Sequence, residues 1–270
     1  ADRIAAFVDA QRLAKADRDH YIGDPDEVDI PLHDLLNPAY LKHRATERFD
    51  PDTSPVPGDP GSVLHGESSA ALFSRDTTEE AAGTTHLSIV DEEGNAVSMT
   101  ATVEGPFGTQ RWVAGFLLNN ELTDFARELP ADGSRPANAI APGRRPRSSM
   151  SPSMIFDGDG DLLMVTGSPG GNSIPAYVSK TIGGVLDWGM AAQEAVDHPN
   201  IVARGETVRV EISADPGQAV ANDLKLRGYN VEEREGENSG LHIVVVTEDG
   251  LDGAADTRRE GIVQTIMPNP

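Results

Sequence analysis

Cysteine is absent from the 270-residue chain, so disulfide bonds, thiolate catalysis and cysteine-based zinc sites are excluded. Without cysteine the sequence indicates no redox compartment, and it is compatible with a periplasmic, a secreted or a cytoplasmic protein. No apolar run approaches the roughly 20 residues that a membrane-spanning helix requires. The seven histidines show no paired metal-ligand spacing. We therefore predict no metal site, no cofactor and no membrane partner.

Basic residues are also scarce. The chain has only four lysines, and acidic residues outnumber basic ones by 44 to 22, which gives a formal net charge of −22. Nucleic acids and anionic membrane surfaces both attract clustered lysine and arginine, so we predict neither as a partner. Adaptation to high salt and simple solubility explain the acidity equally well.

The segment 83–102, GTTHLSIVDEEGNAVSMTAT, has the pattern of a β-hairpin. Two runs of strand-forming residues flank a five-residue loop that contains glycine. A loop centred on Glu93 would place Thr84 directly opposite Thr102. Because residues that face each other on antiparallel strands have Cβ atoms about 5 Å apart, the two hydroxyls are expected to hydrogen-bond.

Thr84 is a candidate nucleophile if the chain is cut between Gly83 and Thr84. A threonine hydroxyl needs a base, and the α-amino group of an N-terminal threonine can act as one because it titrates near pH 8. Glycine at position 83 would ease the attack by permitting a twisted backbone. His86 lies nearby, but a core or strand histidine is the simpler interpretation. From these residues alone, a Thr-Thr pair that merely opens a strand explains the pattern better.

Helical and strand patterns alternate along the chain, which predicts a layered α/β fold. The predicted helices cover residues 4–19, 41–47, 174–185, 191–195 and 216–227. Beyond the hairpin, the predicted strands flank the turn at 157–160 and lie at 208–212, around 231, at 241–246 and at 262–266. Residues 50–83 are rich in proline, glycine, serine and acidic residues and predict a mobile linker, with an ordinary surface loop as the alternative.

Three further motifs carry polar groups that suit a small charged ligand. Glu121 and Asp124 are three residues apart, so both carboxylates can point the same way and hold an ammonium group. Ser148 and Ser149 follow Arg147 and offer hydroxyl and N–H groups to a carboxylate. The turn at 168–172, SPGGN, precedes a helix and can aim N–H groups at negative charge, as in an oxyanion hole. Taken singly, the three motifs are explained by a solvated acidic face, a loop and a tight turn.

Together these motifs resemble, in order and spacing, the catalytic subunit of the γ-glutamyltranspeptidase family. The resemblance is carried by TTHLSIVDEEGNAVSMTATVEGPFG, GFLLNNELTDF, RRPRSSMSP, TGSPGG and GAADTRREG. It also extends upstream to ADRDHYIGDPDEVDIP, which is similar to the last part of the family's large subunit.

This resemblance implies an αββα sandwich of the N-terminal-nucleophile hydrolase type, and it also implies the reaction. It implies self-cleavage between Gly83 and Thr84, after which Thr84 attacks γ-glutamyl amides such as glutathione or glutamine, and passes the acyl group to water or an amine. The other implied catalytic residues are Thr102, Gly170 and Gly171, of which the glycines form the oxyanion hole. The implied substrate-binding residues are Glu121 and Asp124 for the amine, Glu104 for the amine or the carboxylate, and Ser148 and Ser149 for the α-carboxylate.

Glu104 departs from the family pattern, which usually has asparagine at this position. A third carboxylate would help to hold an amine but would repel an α-carboxylate. Two alternatives stay open. Glu104 motivates an amidase or acylase of the same fold with a different acyl group, and the missing upstream half of the family pattern motivates an unprocessed, inactive precursor. The resemblance divides the chain into a large-subunit-like region (1–49), a linker that ends at the cleavage site (50–83) and a small-subunit-like region (84–270), with the upstream large-subunit region as a partner.

Overall fold

A computed structural model describes residues 2–47, 49–69, 73–80 and 83–266. The helices are α1 (Asp2–Tyr21), α2 (Leu32–Leu35), α3 (Pro38–Arg44), α4 (Pro60–His65), α5 (Ile174–Leu186), α6 (Ala192–Asp197) and α7 (Gly217–Leu226). The strands are β1 (Thr84–Val90), β2 (Ala96–Thr102), β3 (Trp112–Val113), β4 (Phe116–Leu117), β5 (Ser153–Phe156), β6 (Leu162–Gly167), β7 (Ile201–Arg204), β8 (Thr207–Glu211), β9 (Asn230–Arg234), β10 (His242–Thr247) and β11 (Gly250–Ala255). Within the described ranges, no helix is long and apolar enough to cross a bilayer.

Two sheets stacked face to face form the centre of the fold. The β1–β2 hairpin lies on β6 and β10 of a four-stranded sheet with the order β11-β10-β6-β5. Hydroxyl groups join the two layers: Ser98 donates to the Thr166 carbonyl at 3.0 Å, and Ser88 donates to the His242 carbonyl at 3.1 Å. The hairpin therefore turns its hydroxyl-bearing face inwards.

Helices α5 and α6 cover the other face of the four-stranded sheet. Their contact is apolar, because the helical stripe of α5 predicted from the sequence meets the inward side chains of β6 and β10. The buried residues of this core include Met164, Ala176, Tyr177, Leu241 and Ile243. The layer order is thus hairpin, sheet, helices, and the predicted layered α/β arrangement is confirmed.

A smaller unit completes the described structure. Strands β7, β8 and β9 form a three-stranded sheet in which β8 and β9 are parallel. Helix α7 packs on β8 and β9, while α1 packs along β7. Helix α1 lies between this sheet and the turn that precedes α5. Residues from the start of the chain therefore reach the site described below.

The hairpin register predicted from the sequence is confirmed, with Thr84 opposite Thr102 and Val90 opposite Ala96. The helix predicted over residues 4–19 is also confirmed, within α1. The second predicted helix begins three residues earlier, at Pro38, because the Asn37 side chain caps it by accepting the Ala39 N–H at 2.9 Å.

In the C-terminal third one predicted strand is wrong and two strands were missed. Residues 262–266 form no strand, and their apolar side chains Ile262 and Ile266 are 77% and 85% exposed. Instead, β11 pairs with β10 in antiparallel fashion. The Gly- and Ala-rich composition of β11 did not indicate a strand. The strand β7 was also missed. The helix predicted at 191–195 is confirmed as α6, which Gly189, at a φ of 70°, separates from α5.

Candidate active site

Thr84 is the first residue of β1 and faces its partner across the hairpin. The Thr84 hydroxyl donates a hydrogen bond to the Thr102 hydroxyl oxygen at 3.1 Å. The same Thr102 oxygen accepts the backbone N–H of Glu104 at 2.8 Å. Arg259, on the C-terminal segment, donates to the Thr84 carbonyl at 3.3 Å. Thr84 is thus fixed from both ends, with only 7% of its surface exposed.

Gly83 lies in crowded surroundings that the sequence did not indicate. We expected glycine to permit a twisted backbone, but the φ of Gly83 lies outside the left-handed range. Crowding excludes a side chain instead: a methyl group at this position would lie 2.2 Å from the Glu104 carbonyl oxygen and 2.8 Å from the Pro106 nitrogen. The backbone on both sides of the 83–84 bond is therefore held tightly against the loop that follows β2.

A small polar cavity lies at the threonine pair and gathers most of the predicted site residues. It is lined by Glu80, Thr84, Thr102, Glu104, Glu121, Asp124, Ser148, Ser149, Met150, Gly171 and Ile174. Gly170 and Gly83 lie outside this lining. The free volume of about 10 Å³ is at the lower limit for a single water molecule. In the intact chain the cavity is therefore filled by the protein itself.

Carboxyl groups crowd one side of the cavity. Glu121 and Asp124 lie on one 3₁₀ turn, as their spacing suggested, and Glu104 approaches them from the loop after β2. Burial, followed by the charges of Glu80, Glu104 and Glu121, raises the pKa of Asp124 to about 8. Burial and Glu104 also raise the pKa of Glu121. A bound ammonium group would reverse the repulsion and restore the ionised form of Asp124.

Glu104, where the family usually has asparagine, is buried and has a positive φ of 73°. Its carboxylate accepts a hydrogen bond from the Asn120 side-chain amide, which belongs to the segment that leads into the 3₁₀ turn. The third carboxylate is thus built into the floor of the cavity and does not point to solvent. Sequence comparison found the substitution, and the structure places it within the acidic group.

The serine pair, Ser148 and Ser149, lines the same cavity. The Ser149 N–H donates to Glu80 Oε2 at 3.1 Å, and the Arg18 guanidinium donates to Ser149 Oγ at 2.6 Å. Sequence reasoning missed both Glu80 and Arg18. Glu80 is part of a Glu-Glu pair in a linker, and Arg18 is 131 positions from Ser149, so nothing local connects them to the site.

The glycine turn at 170–171 precedes α5, as predicted. Gly170 has a φ of 141° and a methyl group there would lie 2.5 Å from the Tyr177 ring, while Gly171 has a φ of 55° and lines the cavity. Lys15 of α1 donates to the Asn172 carbonyl at 2.5 Å and so holds the turn from below. The structure brings Gly171 to Thr84 and sets Gly170 one residue behind it.

His86 is a buried strand histidine, as predicted. Its ring nitrogens bond to the hydroxyls of Thr100 at 2.7 Å and Ser88 at 3.1 Å. Burial, with a smaller effect of His242, lowers the pKa of His86 to about 4. The imidazole is therefore neutral at physiological pH, and both its nitrogens are engaged away from Thr84.

A threonine that opens a strand at the centre of two stacked sheets, next to a small polar cavity, is the arrangement of the N-terminal-nucleophile hydrolase fold. The family model for gamma-glutamyltranspeptidase matches residues 1–266. The chain belongs to the γ-glutamyltranspeptidase family, which confirms the resemblance seen in its motifs.

Individual relatives agree with this assignment. The chain is 34% identical to the glutathione hydrolase proenzyme of Pseudomonas aeruginosa, covering 98% of this chain and 46% of that protein. It is 30% identical to the acylase ACY 1 proenzyme of Pseudomonas sp. strain SE83, covering 96% and 43%. A solved γ-glutamyltranspeptidase of Pseudomonas nitroreducens, complexed with L-DON, aligns with a TM-score of 0.60 at 35% identity, over 68% of this chain and all of that one. The chain thus spans less than half the length of these two curated relatives.

Proposed function

We propose that this chain is part of an autoprocessing γ-glutamyltranspeptidase-like enzyme in which Thr84 is the nucleophile. The observation that carries the proposal is the hydrogen bond of 3.1 Å between the hydroxyls of Thr84 and Thr102, at the start of β1 and on the wall of the polar cavity. The upstream large-subunit region of the same precursor would complete the enzyme.

Self-cleavage would begin with attack of the Thr84 hydroxyl oxygen on the Gly83 carbonyl carbon. The Gly83–Thr84 amide bond breaks, an ester forms, and the released nitrogen takes up the hydroxyl proton as the new α-amine. Water then hydrolyses the ester, leaving a Gly83 carboxylate and a free Thr84 hydroxyl. The close packing of Gly83 against the 104–106 backbone supports this step because it holds the carbonyl beside its attacker.

Catalysis would repeat the same chemistry on a substrate. The Thr84 hydroxyl, giving its proton to its own α-amine, attacks the γ-glutamyl carbonyl, and Thr102 holds and polarises the hydroxyl. The N–H groups of Gly170 and Gly171 would stabilise the oxyanion, at a cost of about 3 kcal/mol of barrier if one were lost. The leaving amine takes the proton, and the threonyl ester then passes its acyl group to water or to an amino-acid or peptide amine.

The charge distribution of the cavity supports a γ-glutamyl donor of the glutathione or glutamine type. Glu104, Glu121 and Asp124 form an anionic side that suits the α-amine. Ser148 and Ser149 line the same cavity, Ser149 accepts a hydrogen bond from Arg18, and these groups suit the α-carboxylate. An amino acid carries these two groups on one carbon, so a cavity that offers both carboxylates and hydroxyl and N–H donors suits it.

The decisive experiment replaces Thr84 in the full-length protein. Thr84→Ala should stay uncut on a denaturing gel and should release no aniline from a γ-glutamyl anilide, because it lacks the hydroxyl. Thr84→Ser should retain slow cleavage and measurable turnover. Intact mass should place the new N-terminus at residue 84. Normal cleavage and turnover by the alanine variant would disprove the proposal.

A second candidate function is hydrolysis of a different acyl group on the same scaffold. Glu104 favours it, because a third carboxylate in the cavity opposes a donor that brings an α-carboxylate close to it, and one relative is named an acylase. Comparing γ-glutamyl anilide with anilides of other acyl groups separates the two. Equal or faster turnover of a non-glutamyl anilide would favour the acylase. An uncut wild-type chain that stays uncut on incubation would identify an inactive precursor.

A further inference from the structure

Asn172 joins the glycine turn to two other parts of the molecule. Its carbonyl accepts a hydrogen bond from Lys15 Nζ of α1 at 2.5 Å. Its side-chain amide donates to the Thr78 carbonyl at 3.2 Å and to Glu79 Oε2 at 2.9 Å. Gly171 and Asn172 are adjacent and share one 3₁₀ turn, so a contact that fixes Asn172 also restricts the backbone of Gly171.

Lys15 differs from the other partners of the turn because it binds the backbone and lies on a separate helix. Thr78 and Glu79 belong to the segment that would gain a free end if the chain were cut after Gly83. Two more contacts reach side chains only: Ser149 Oγ donates to Asn172 Oδ1 at 3.5 Å, and Arg209 Nη2 donates to Ser173 Oγ at 2.7 Å. Helix α1 packs along β7, so the contact of Lys15 with the turn would survive cleavage.

The ammonium group of Lys15 is buried in unfavourable surroundings. The residue is only 5% exposed, and it has one hydrogen-bond acceptor among the described residues. Burial, followed by Arg18 and Arg204, lowers the pKa of Lys15 to about 7. The opposing effect of Glu80 and Asp19 is smaller. A buried charge with so few partners costs stability.

The carboxylates around Lys15 are engaged by arginines. Glu79 and Asp19 pair with Arg204 at 2.7 and 3.1 Å, and Glu80 pairs with Arg18 at 2.7 Å. Within the described ranges, none of these three carboxylates forms an ion pair with Lys15. The hydrogen bond to the turn is therefore the main contact that the ammonium group makes.

Lys180 shows how a buried lysine of this protein is satisfied where it supports a helix end. It is 1% exposed, and burial lowers its pKa to about 7 as well, yet it donates to three backbone carbonyls. Lys15 donates to one carbonyl, in the turn that lines the cavity at Thr84. A poorly satisfied charge beside a site is typical of a functional role.

We propose that Lys15 is a positioning residue of the reaction, whose hydrogen bond to the Asn172 carbonyl keeps the Gly171 N–H directed at the carbonyl that Thr84 attacks. This inference rests on the proposed function for the identity of that carbonyl. Lys15 does not touch the substrate and acts through the turn. Because an oxyanion forms both when the acyl group is taken up and when it is released, a displaced donor would slow both steps.

The first test reads the turn itself, by hydrogen exchange in full-length protein that carries Thr84→Ala and stays uncut. Adding Lys15→Met should make the amides of residues 171–173 exchange at least about threefold faster, since the turn loses its backbone contact with α1. Lys180→Met is the matched control, a second buried lysine that donates to backbone carbonyls. It should speed exchange at the end of α6 and leave residues 171–173 unchanged.

The second test measures kcat and KM for a γ-glutamyl anilide, per mole of cut chain, at a temperature at which every variant is folded. Lys15→Met should lower kcat at least about tenfold and change KM less than about twofold, because the oxyanion exists only in the transition states. Lys15→Arg keeps the charge and the donors, and it should stay within about threefold of the wild-type kcat. Two cavities of about 930 and 390 Å³ border Lys15 and give the longer side chain room.

Unchanged exchange at residues 171–173 in Lys15→Met would overturn the contact as a support of the turn. A wild-type kcat in Lys15→Met, a rise in KM alone, or an equal loss of kcat in Lys180→Met would overturn the role in the reaction. If Lys15→Met does not fold or is not cut, Lys15→Gln keeps an N–H donor on a shorter side chain and should lose at least about threefold in kcat. Failure of the proposed function would be seen separately, as a wild-type protein without turnover, and would leave the exchange result standing.

Discussion

Asp124 is the acidic residue through which pH should act on the intact protein. Because burial and three neighbouring carboxylates raise its pKa to about 8, the folded state holds a proton that the unfolded state releases near pH 4. The stability that this proton confers is complete below about pH 4 and declines as pH rises towards 8. The folded protein should therefore be less stable at pH 9 than at pH 6.

Replacing Asp124 with Asn removes this dependence and keeps a group that can donate a hydrogen bond. In uncut protein that carries Thr84→Ala, Asp124→Asn should raise the free energy of unfolding at pH 9 by about 1–3 kcal/mol and should change it less at pH 6. Urea denaturation at both pH values measures the effect. Asp249→Asn, on the exposed turn between β10 and β11, is the control and should leave the pH dependence as it is. An Asp124→Asn protein with the wild-type pH dependence would contradict the assignment.

Gly83 should be intolerant of even one additional carbon atom. A methyl group would collide with the backbone of residues 104–106, so Gly83→Ala should displace the carbonyl from Thr84 and slow self-cleavage at least about tenfold. The fraction of uncut chain is followed by denaturing gel over time. Gly158→Ala, at a glycine with open space around it and no left-handed φ, should be cut at the wild-type rate. Equal rates for the two variants would show that the crowding has no part in cleavage.

At the scale of the elements, sequence patterns succeeded where the pairing was local. The hairpin register follows from a five-residue loop and alternating side chains, and both are visible in the sequence. The strand at 262–266 failed because β-branched composition does not reveal a partner. Strand β11 has little such composition, yet it pairs with β10 through a tight turn at 247–250. Tertiary pairing there overrides intrinsic preference.

Lys180 of α5 caps the C-terminal end of α6 and so links the two helices. Its buried ammonium group donates to the carbonyls of Ala195, Val196 and His198 at 2.8 to 3.0 Å. Lys180→Met should lower the free energy of unfolding by about 2–4 kcal/mol, because it leaves carbonyl groups of the last turn with fewer donors. Urea denaturation of the full-length protein measures this. Lys225→Met, in an exposed ion pair with Glu233, should cost less than about 1 kcal/mol.

At the scale of the whole molecule, the residues that the sequence did not indicate near the site are those far from it along the chain. Thr84, Thr102, Glu121 and Asp124, which the structure brings to one cavity, could be predicted because each belongs to a short motif. Arg18 and Lys15 lie on α1, more than 130 residues before the segments that they contact at Ser149 and Asn172. These contacts follow from the packing of α1 along β7. No sequence pattern in α1 or in the segments that it contacts predicts them.

The position of Thr84 at the very start of β1 has a mechanical consequence for a chain that is cut there. Six further residue pairs, from Thr85 with Ala101 to Val90 with Ala96, continue the ladder behind it. A freshly exposed amino terminus is usually the part of a protein that frays. Here the new amino terminus at Thr84 would stay paired within the β1–β2 hairpin. Cleavage would therefore free the segment that ends at Gly83 and leave Thr84 in place.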